Sequence, residues 1–171
     1  MADITELAKA HQQSLFRYAF RLTGQTADAE DLVQETFLQA NRKISSVKDL
    51  GAIKNWLFTI LRNQHLMNLR QRGNKPLESI EDLPDCAVQP IRPEGVHDSE
   101  LLQQLLMEMP EGYRTPLILF YLEDFSYRDI SEQMGIPIGT VMSRLARAKD
   151  WIRARYPVDS IMNQSPIREE R

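Results

Sequence analysis

The 171-residue chain contains 24 acidic and 21 basic residues, and its formal net charge is −3 at pH 7. No apolar run reaches the ~18 residues that a membrane span requires, and the N-terminus MADITELAKAH has acids where a signal peptide has a basic region, so we expect a cytoplasmic protein. The single Cys86 excludes an internal disulfide, and the scattered His11, His65 and His97 lack metal-ligand spacing. We therefore expect no metal and no cofactor.

Charge is distributed unevenly along the chain. Residues 1–40 hold three bases and six acids, whereas residues 41–75 hold eight bases and one acid. Residues 76–112 reverse the sign with nine acids and one base, and residues 135–156 return to five bases and one acid. Two positive segments are therefore separated by a negative one.

Two helices are predicted in the first part of the chain. The first, in ITELAKAHQQSLFRYAFRLTG, has apolar residues at steps of three and four and ends at Gly24. The second begins at Thr26, which we interpret as its N-cap, and its early acids suit the positive end of the helix dipole. Its acidic outer face is typical of a solvated surface but would equally suit a basic partner. The predicted buried side comprises Leu32, Val33, Phe37, Ala40 and Ile44.

A third long helix is predicted in GAIKNWLFTILRNQHLMNLRQRGN, ending near Gly73. Its buried side comprises Trp56, Leu57, Ile60, Leu61 and Leu69. A second stripe combines cations with amides, the groups that hold phosphates and hydrogen-bond exposed bases. That stripe comprises Asn55, Thr59, Arg62, Asn63, Leu66 and Arg70. The alternative is that this stripe is ordinary solvent-exposed surface that binds no nucleic acid.

Residues 74–97 form an acidic segment with four prolines, which cannot donate helix or sheet hydrogen bonds. We interpret it as a linker between two domains, with at most short helical turns. A disordered connector of no further role is the alternative that composition leaves open.

The C-terminal part of the sequence predicts two helices, which precede a more specific motif in residues 126–156. Ser99 is expected to cap the helix ELLQQLLMEM, which stops at Pro110. A second helix runs through YRTPLILFYLED, where Pro116 implies a late start or a local kink.

Residues 126–156 predict a helix-turn-helix. Ser126 and Asp129 have the spacing of a capping box, and Gly135 permits a left-handed turn before a second helix that begins near Ile138. Such a second helix places polar and basic side chains in the major groove, although a basic amphipathic helix can also be structural. The predicted outer face comprises Thr140, Met142, Ser143, Arg144, Arg147, Lys149 and Arg153.

Four motifs together resemble the extracytoplasmic-function (ECF) group of sigma factors, which are bacterial RNA polymerase initiation subunits of the sigma-70 family. The motifs are LFRYAFRLTG (15–24), DAEDLVQETFLQA (28–40), IKNWLFTILRN (53–63) and MPEGYRTPLILFYLEDFSYRDISEQMGIPIGTVMSRLARAK (109–149). The resemblance covers nearly the whole chain.

The resemblance implies an all-α fold with two small helical domains joined by a flexible acidic linker, the second domain containing the helix-turn-helix. The implied bounds are 1–73 for the first domain, 74–97 for the linker, 98–157 for the second domain and 158–171 for a flexible tail.

The resemblance also implies partners and roles. Core RNA polymerase would contact Asp28, Asp31, Leu32, Gln34, Glu35 and Phe37. The promoter −10 element would meet Asn55, Thr59, Arg62, Asn63 and Arg70. The −35 element would meet Thr140, Met142, Ser143, Arg144, Arg147 and Lys149. An anti-sigma factor is a further partner that the family allows. Asn68, Met142 and Ala146 depart from residues frequent in the family, so promoter preference cannot be copied from relatives.

Two other functions compete with this interpretation. A regulator that binds operators without polymerase would need a two-fold assembly, and no segment predicts a dimerisation domain. An enzyme acting on nucleic acid would need clustered carboxylates or an activated nucleophile, whereas Asp28, Glu30 and Asp31 are explained as first-turn acids. Five bases near the second helix predict weak unassisted DNA binding, and attachment of both domains to polymerase would supply the missing affinity.

Overall fold

The computed structural model describes residues 4–47, 49–73 and 98–155, and all regular secondary structure within these ranges is helical. The helices are α1 (Ile4–Thr23), α2 (Thr26–Lys43), α3 (Ile53–Gln71), α4 (Asp98–Glu108), α5 (Glu111–Leu117), α6 (Tyr127–Met134) and α7 (Ile138–Arg155). Short 3₁₀ turns at Ile44–Ser46 and Leu50–Ala52 connect α2 to α3, and a π-helical turn at Ile118–Leu122 continues α5. The predicted linker 74–97 and tail 158–171 lie outside the described residues.

The first three helices pack into an N-terminal domain around fully buried apolar side chains. Leu15 and Tyr18 of α1 meet Leu57 and Leu61 of α3 in this core. α1 ends at Gly24, as predicted, with φ 73° and its amide donating to the main-chain oxygen of Phe20. The buried residues of α2 are Ala29, Leu32, Val33, Thr36 and Ala40.

The predicted N-cap of α2 is wrong. Thr26 is the first helical residue, and the residue before it, Gln25, has the extended backbone of a cap but makes no side-chain capping bond. Ser99 is likewise not the cap of α4, since that helix begins at Asp98. Because a cap must lie outside the helix to accept from its free amides, neither hydroxyl can take that role.

Pro116 lies inside α5, and the helix does not start late as one reading of the sequence allowed. A proline at this position cannot donate to the carbonyl four residues earlier. The helix then widens into the π turn, which closes with the Glu123 amide donating to the main-chain oxygen of Ile118 at 3.1 Å. Both Pro116 and Ile118 are buried, so the irregular segment lies in the core of the C-terminal domain.

The helix-turn-helix forms as predicted. The Asp129 amide donates to the Ser126 hydroxyl at 3.1 Å, and the Ser126 amide donates to the Asp129 carboxylate at the same distance. Gly135 has φ 64°, the left-handed conformation that ends α6 and turns the chain toward α7. The buried contacts between the two helices come from Ile130, Val141, Leu145 and Ala148.

The two domains pack against each other, with α1 against α4 and α3 against α6. The Phe58 ring stacks 5.0 Å from Tyr18 and lies 4.9 Å from Phe125 of the C-terminal domain, measured between centroids. A Cβ added at Gly24 would lie only 2.7 Å from Sδ of Met107 in α4. The apolar cores of the domains are therefore continuous, a packing that the sequence pattern did not predict.

Two polar contacts reinforce the junction of α1 with the C-terminal domain. The Arg114 guanidinium donates to the main-chain oxygen of Leu22 at 2.9 Å, and the Gln103 amide donates to that of Phe20 at 3.1 Å. Both acceptors belong to the last turn of α1, where helix carbonyls lack amide donors from a following turn, and the Phe20 oxygen also accepts from the Gly24 amide. Across the described residues, none of the helices has the length and hydropathy to cross a membrane.

Candidate nucleic-acid interface

The outer face of α7 carries most of the side chains predicted to contact the −35 element. Met142, Ser143 and Arg147 are exposed, and Thr140 and Lys149 are half-buried. Arg144 is only 3% exposed, so its assignment to the outer face is wrong. It follows Val141 by three residues, which turns it toward the face that packs on α5 and α6.

The C-terminal half of α7 anchors the helix. Trp151 is buried, and the guanidinium of Arg155 lies 3.8 Å from the centre of its ring. Arg153 pairs with Asp150 on the exposed side at 3.3 Å. This anchoring leaves the N-terminal half of α7, residues 138–147, to present its outer face to a ligand.

The structure exposes only some of the side chains predicted to form the stripe on α3. Asn63 and Arg70 are exposed, and Asn55 and Thr59 are half-buried. Arg62 is 8% exposed because α6 covers it, and its Nη1 donates to the main-chain oxygen of Gln133 at 3.4 Å.

The prediction of one exposed stripe on α3 is therefore wrong in part. Leu66, placed by the sequence on this stripe, is also buried, at 6% exposure. Its helical register, four residues after Arg62, turns it toward the same packed side. The exposed residues of the predicted −10 set are thus limited to Asn63 and Arg70 in the packed form.

Lys54 fixes the start of α3 against the C-terminal domain. Its Nζ donates to the main-chain oxygen of Glu123 at 2.9 Å and lies 4.7 Å from the centre of the Phe125 ring. Burial raises the pKa of the Glu123 carboxyl, and the charges of Arg17 and Lys54 oppose that rise. A cluster of opposite charges therefore lies at the junction of the two domains.

His65 lies in the buried part of α3. Burial lowers its pKa to about 4, and the positive charges of Arg114, Arg62 and Arg72 add to that effect. The imidazole is consequently neutral at pH 7. Its Nε2, the Arg62 Nε and both side-chain polar atoms of Gln133 have no hydrogen-bond partner among the described protein groups.

The atoms of Arg62 and Gln133 weaken the packing of α3 on α6. Each buried polar group without a hydrogen-bond partner costs on the order of 1–3 kcal/mol. When the domains separate, the same atoms become accessible to water. The junction therefore combines a continuous apolar core with buried polar atoms that gain hydrogen bonds to water when it opens.

The face of α2 predicted to contact polymerase is exposed only in part. Asp31 and Gln34 are exposed, whereas Phe37 is half-buried. Asp28 forms an ion pair with Arg72 at 3.3 Å, and Glu35 accepts from the Gln39 amide at 3.2 Å.

Leu32 does not belong to that exposed face. It is 3% exposed and packs in the domain core, so it does not lie on the surface of α2 in this structure. The sequence had already placed it on the buried side, and only the family resemblance moved it outward. Leu38, by contrast, was not predicted and is 55% exposed. Its spacing from Gln34 and Asp31, four and seven residues, was the signal for its place on the same face.

No cluster of three or more metal-ligating side chains occurs within residues 4–47, 49–73 and 98–155. The chemistry offered by the exposed groups on α3 and α7 is hydrogen bonding, cation–phosphate attraction and apolar contact, which are the elements of nucleic-acid recognition.

Comparison with known families gives two matches in chain order. Residues 7–75 match the model of sigma-70 region 2, and residues 99–152 match the model of sigma-70 region 4. The first match covers α1 to α3 and the second covers α4 to α7 up to Ile152. The unmatched segment between them, residues 76–98, overlaps the predicted linker 74–97.

Similar proteins of known class extend this result. The chain is 35% identical over 158 residues to the ECF RNA polymerase sigma factor SigE of Mycolicibacterium smegmatis, an alignment that covers 90% of this chain and 61% of that protein. It is 31% identical over 156 residues to the ECF RNA polymerase sigma factor SigM of Bacillus subtilis, covering 90% of this chain and 94% of that one.

A solved structure is similar over both domains. It is the sigma factor RpoE from Bartonella quintana, crystallised in complex with the anti-sigma factor NepR, with 30% identity and a TM-score of 0.72. The match covers 93% of this chain and 99% of that one. Taken with the two region matches and the curated relatives, these likenesses establish that the chain belongs to the ECF group of the sigma-70 family of RNA polymerase sigma factors.

Proposed function

We propose that this chain binds bacterial core RNA polymerase in the cytoplasm and directs it to initiate transcription at specific promoters. The observation that carries this proposal is the order of the two domains, each of which presents an exposed face suited to its task. The chain supplies binding and positioning, and polymerase supplies the chemistry of RNA synthesis.

The exposed faces support a division of labour. Asp31 and Gln34 of α2, with Leu38 beside them, form an acidic and apolar face suited to a basic protein surface. Asn63 of α3 offers both a donor and an acceptor to an unpaired base of the −10 element. Arg147 on α7 is suited to a guanine edge or a phosphate of the −35 element.

The packed arrangement of the domains is proposed to be the inactive form. It buries Arg62, a residue of the predicted −10 set, beneath α6. The similar sigma factor from Bartonella quintana is bound by an anti-sigma factor, and a TM-score of 0.72 over 93% of this chain requires both domains to superpose. An anti-sigma factor acting on this chain would stabilise the packed form, and polymerase would favour the separated one.

The test is transcription with purified components. The full chain is added to bacterial core polymerase with a genomic DNA template, and RNA start sites are mapped. We expect discrete start sites that require the chain and disappear when Ser143 and Arg147 are both replaced by alanine. A footprint of the chain alone on duplex DNA, with no effect on polymerase, would instead support an operator-binding regulator.

A further inference from the structure

The outer face of α7 consists of two parallel rows. Ile138, Met142 and Ala146 follow one another at four-residue steps and form an apolar row, in which Ile138 is 45% exposed and Met142 is 51% exposed. Ser143 and Arg147 form the adjacent polar row. Residues four apart lie on the same side of a helix and are separated by about 6 Å along its axis.

The apolar row has no role in the packing of the described structure. The buried side of α7 is supplied by Val141, Leu145 and Ala148, which face α5 and α6. Ile138 and Met142 are among the seven large hydrophobic side chains that remain exposed in the described residues. Both lie in the first two turns of α7, the part of a recognition helix whose side chains reach base edges.

We propose that the apolar row reads thymine methyl groups in the major groove of the −35 element. This inference rests on the proposed function and names the chemistry that the same helix recognises. Thymine is the only standard DNA base that presents a methyl group in the major groove, and apolar side chains are its usual contacts. Arg147, in the adjacent row, provides the cation that holds a phosphate or a guanine edge next to these contacts.

The spacing of the row sets the expected footprint. Base pairs rise by about 3.4 Å, so two side chains about 6 Å apart address bases within roughly two steps of each other. Met142 is unbranched and flexible, which allows its terminal methyl group to follow the groove wall. The −35 sequence preferred by this chain is therefore expected to contain thymines at neighbouring positions, beside a position read by Arg147.

A protein surface is the competing occupant of an exposed apolar row. Two features favour DNA. The row lies beside a cation rather than within a wider apolar patch, and both rows lie on the second helix of a helix-turn-helix. A protein contact would not depend on a single methyl group of the DNA, and this difference makes the two occupants separable by experiment.

The experiment uses holoenzyme assembled from the full chain and bacterial core polymerase. Duplexes randomised across the −35 region are enriched for binding, and the enriched duplex is resynthesised with deoxyuridine in place of each thymidine in turn, which removes only the methyl group. We expect replacement of one or two thymidines to weaken binding about three- to fivefold, the effect of losing one buried methyl contact.

Met142→Ala supplies the second arm. It should weaken binding of the thymidine duplex by a similar factor but cause no further loss on the deoxyuridine duplex. The matched control is Leu122→Ala, since Leu122 is 40% exposed in the same domain but lies outside α7. This control should keep the wild-type ratio of thymidine to deoxyuridine affinity.

The outcomes separate this inference from the proposed function. An enriched −35 sequence whose binding does not change with deoxyuridine, or a Met142→Ala loss that is equal on both duplexes, would overturn methyl recognition while leaving the sigma function supported. If holoenzyme enriches no sequence at all, the proposed function fails and the inference fails with it.

Discussion

The Nη1 atom of Arg62 lies 3.4 Å from the main-chain oxygen of Gln133, which joins the helix predicted to contact the −10 element to the first helix of the helix-turn-helix. One hydrogen bond and the packing around it thus withhold a cation of α3 from DNA. The outer face of α7 stays exposed in the same structure. The proposed contact of Arg62 with the −10 element would require this hydrogen bond to break.

Gln133 can be used to test the domain packing, because its side chain is 5% exposed on the helix that covers Arg62. Gln133→Arg places a cation at this buried position, and a buried charge without a partner costs several kcal/mol. We expect the domains to separate and the radius of gyration measured by small-angle X-ray scattering to increase. Gln133→Met is the control, because it keeps the main-chain acceptor of Arg62 and places no charge in the junction, and it should keep the compact radius. Equal radii for the two variants would contradict burial of position 133 between the domains.

His65 makes the stability of the chain sensitive to acid. Its pKa falls from 6.5 to about 4 in the folded chain, so between these values the unfolded chain binds more protons than the folded one. The stabilisation is complete above pH 6.5 and is lost as the pH decreases, by about 2 kcal/mol at pH 5. Urea unfolding at pH 7.5 and pH 5 measures this loss.

His65→Gln is the control for that experiment, because glutamine does not titrate. The raised pKa of the Glu123 carboxyl acts in the opposite direction, but it is present in both proteins and cancels in their difference. The variant should lose less stability than the wild type between the two pH values. Identical losses would show that His65 does not become protonated on unfolding in this range.

The capping box of α6 offers a test of local stability. Ser126→Ala removes the acceptor for the Asp129 amide and should lower the free energy of unfolding by about 0.5–2 kcal/mol. Ser99→Ala is the matched control, since Ser99 is exposed and lies inside α4. Alanine favours the helix interior, so the control should not lose stability. An equal loss in both variants would contradict the assigned cap.

Substitution of two leucines on α2 distinguishes an effect on polymerase binding from an effect on stability. Leu38→Ala removes an exposed side chain from the proposed polymerase face and should weaken binding to core polymerase about fivefold or more, without loss of stability. Leu32→Ala removes a buried side chain and should instead cost about 2–5 kcal/mol of stability. Titration against core polymerase and urea unfolding distinguish the two effects. Unchanged affinity of the Leu38 variant would exclude it from the interface.

Local signals predicted the helix-turn-helix well. The Ser126 and Asp129 spacing, the left-handed Gly135 and the start of α7 after Pro137 each depend on a few adjacent residues, and all three form as expected. The all-α fold and the two sigma regions followed from periodicity and from motif order. The residue-level roles in polymerase and promoter binding stay predictions.

The errors in the predicted exposure of polar side chains arise from packing between helices that are distant in the sequence. The sequence predicts that Arg62 is a surface cation on α3. Its burial depends on α6, which lies far along the chain, so the residues around Arg62 do not indicate it. Arg144 reads as part of a basic face, yet its helical position places it beside Val141 on the packed side. Polarity alone does not reveal which polar residues another helix will cover.

The close approach of Gly24 to Met107 ties together two positions that belong to different domains. A Cβ at position 24 would require the flexible Met107 thioether to shift, and the φ of 73° would strain any side chain placed there. The backbone therefore favours glycine at position 24 in every arrangement of the domains, whereas the contact at position 107 exists only in the docked one. In an alignment of relatives, we expect the glycine to persist throughout and residue 107 to vary freely only in lineages that have abandoned the docking.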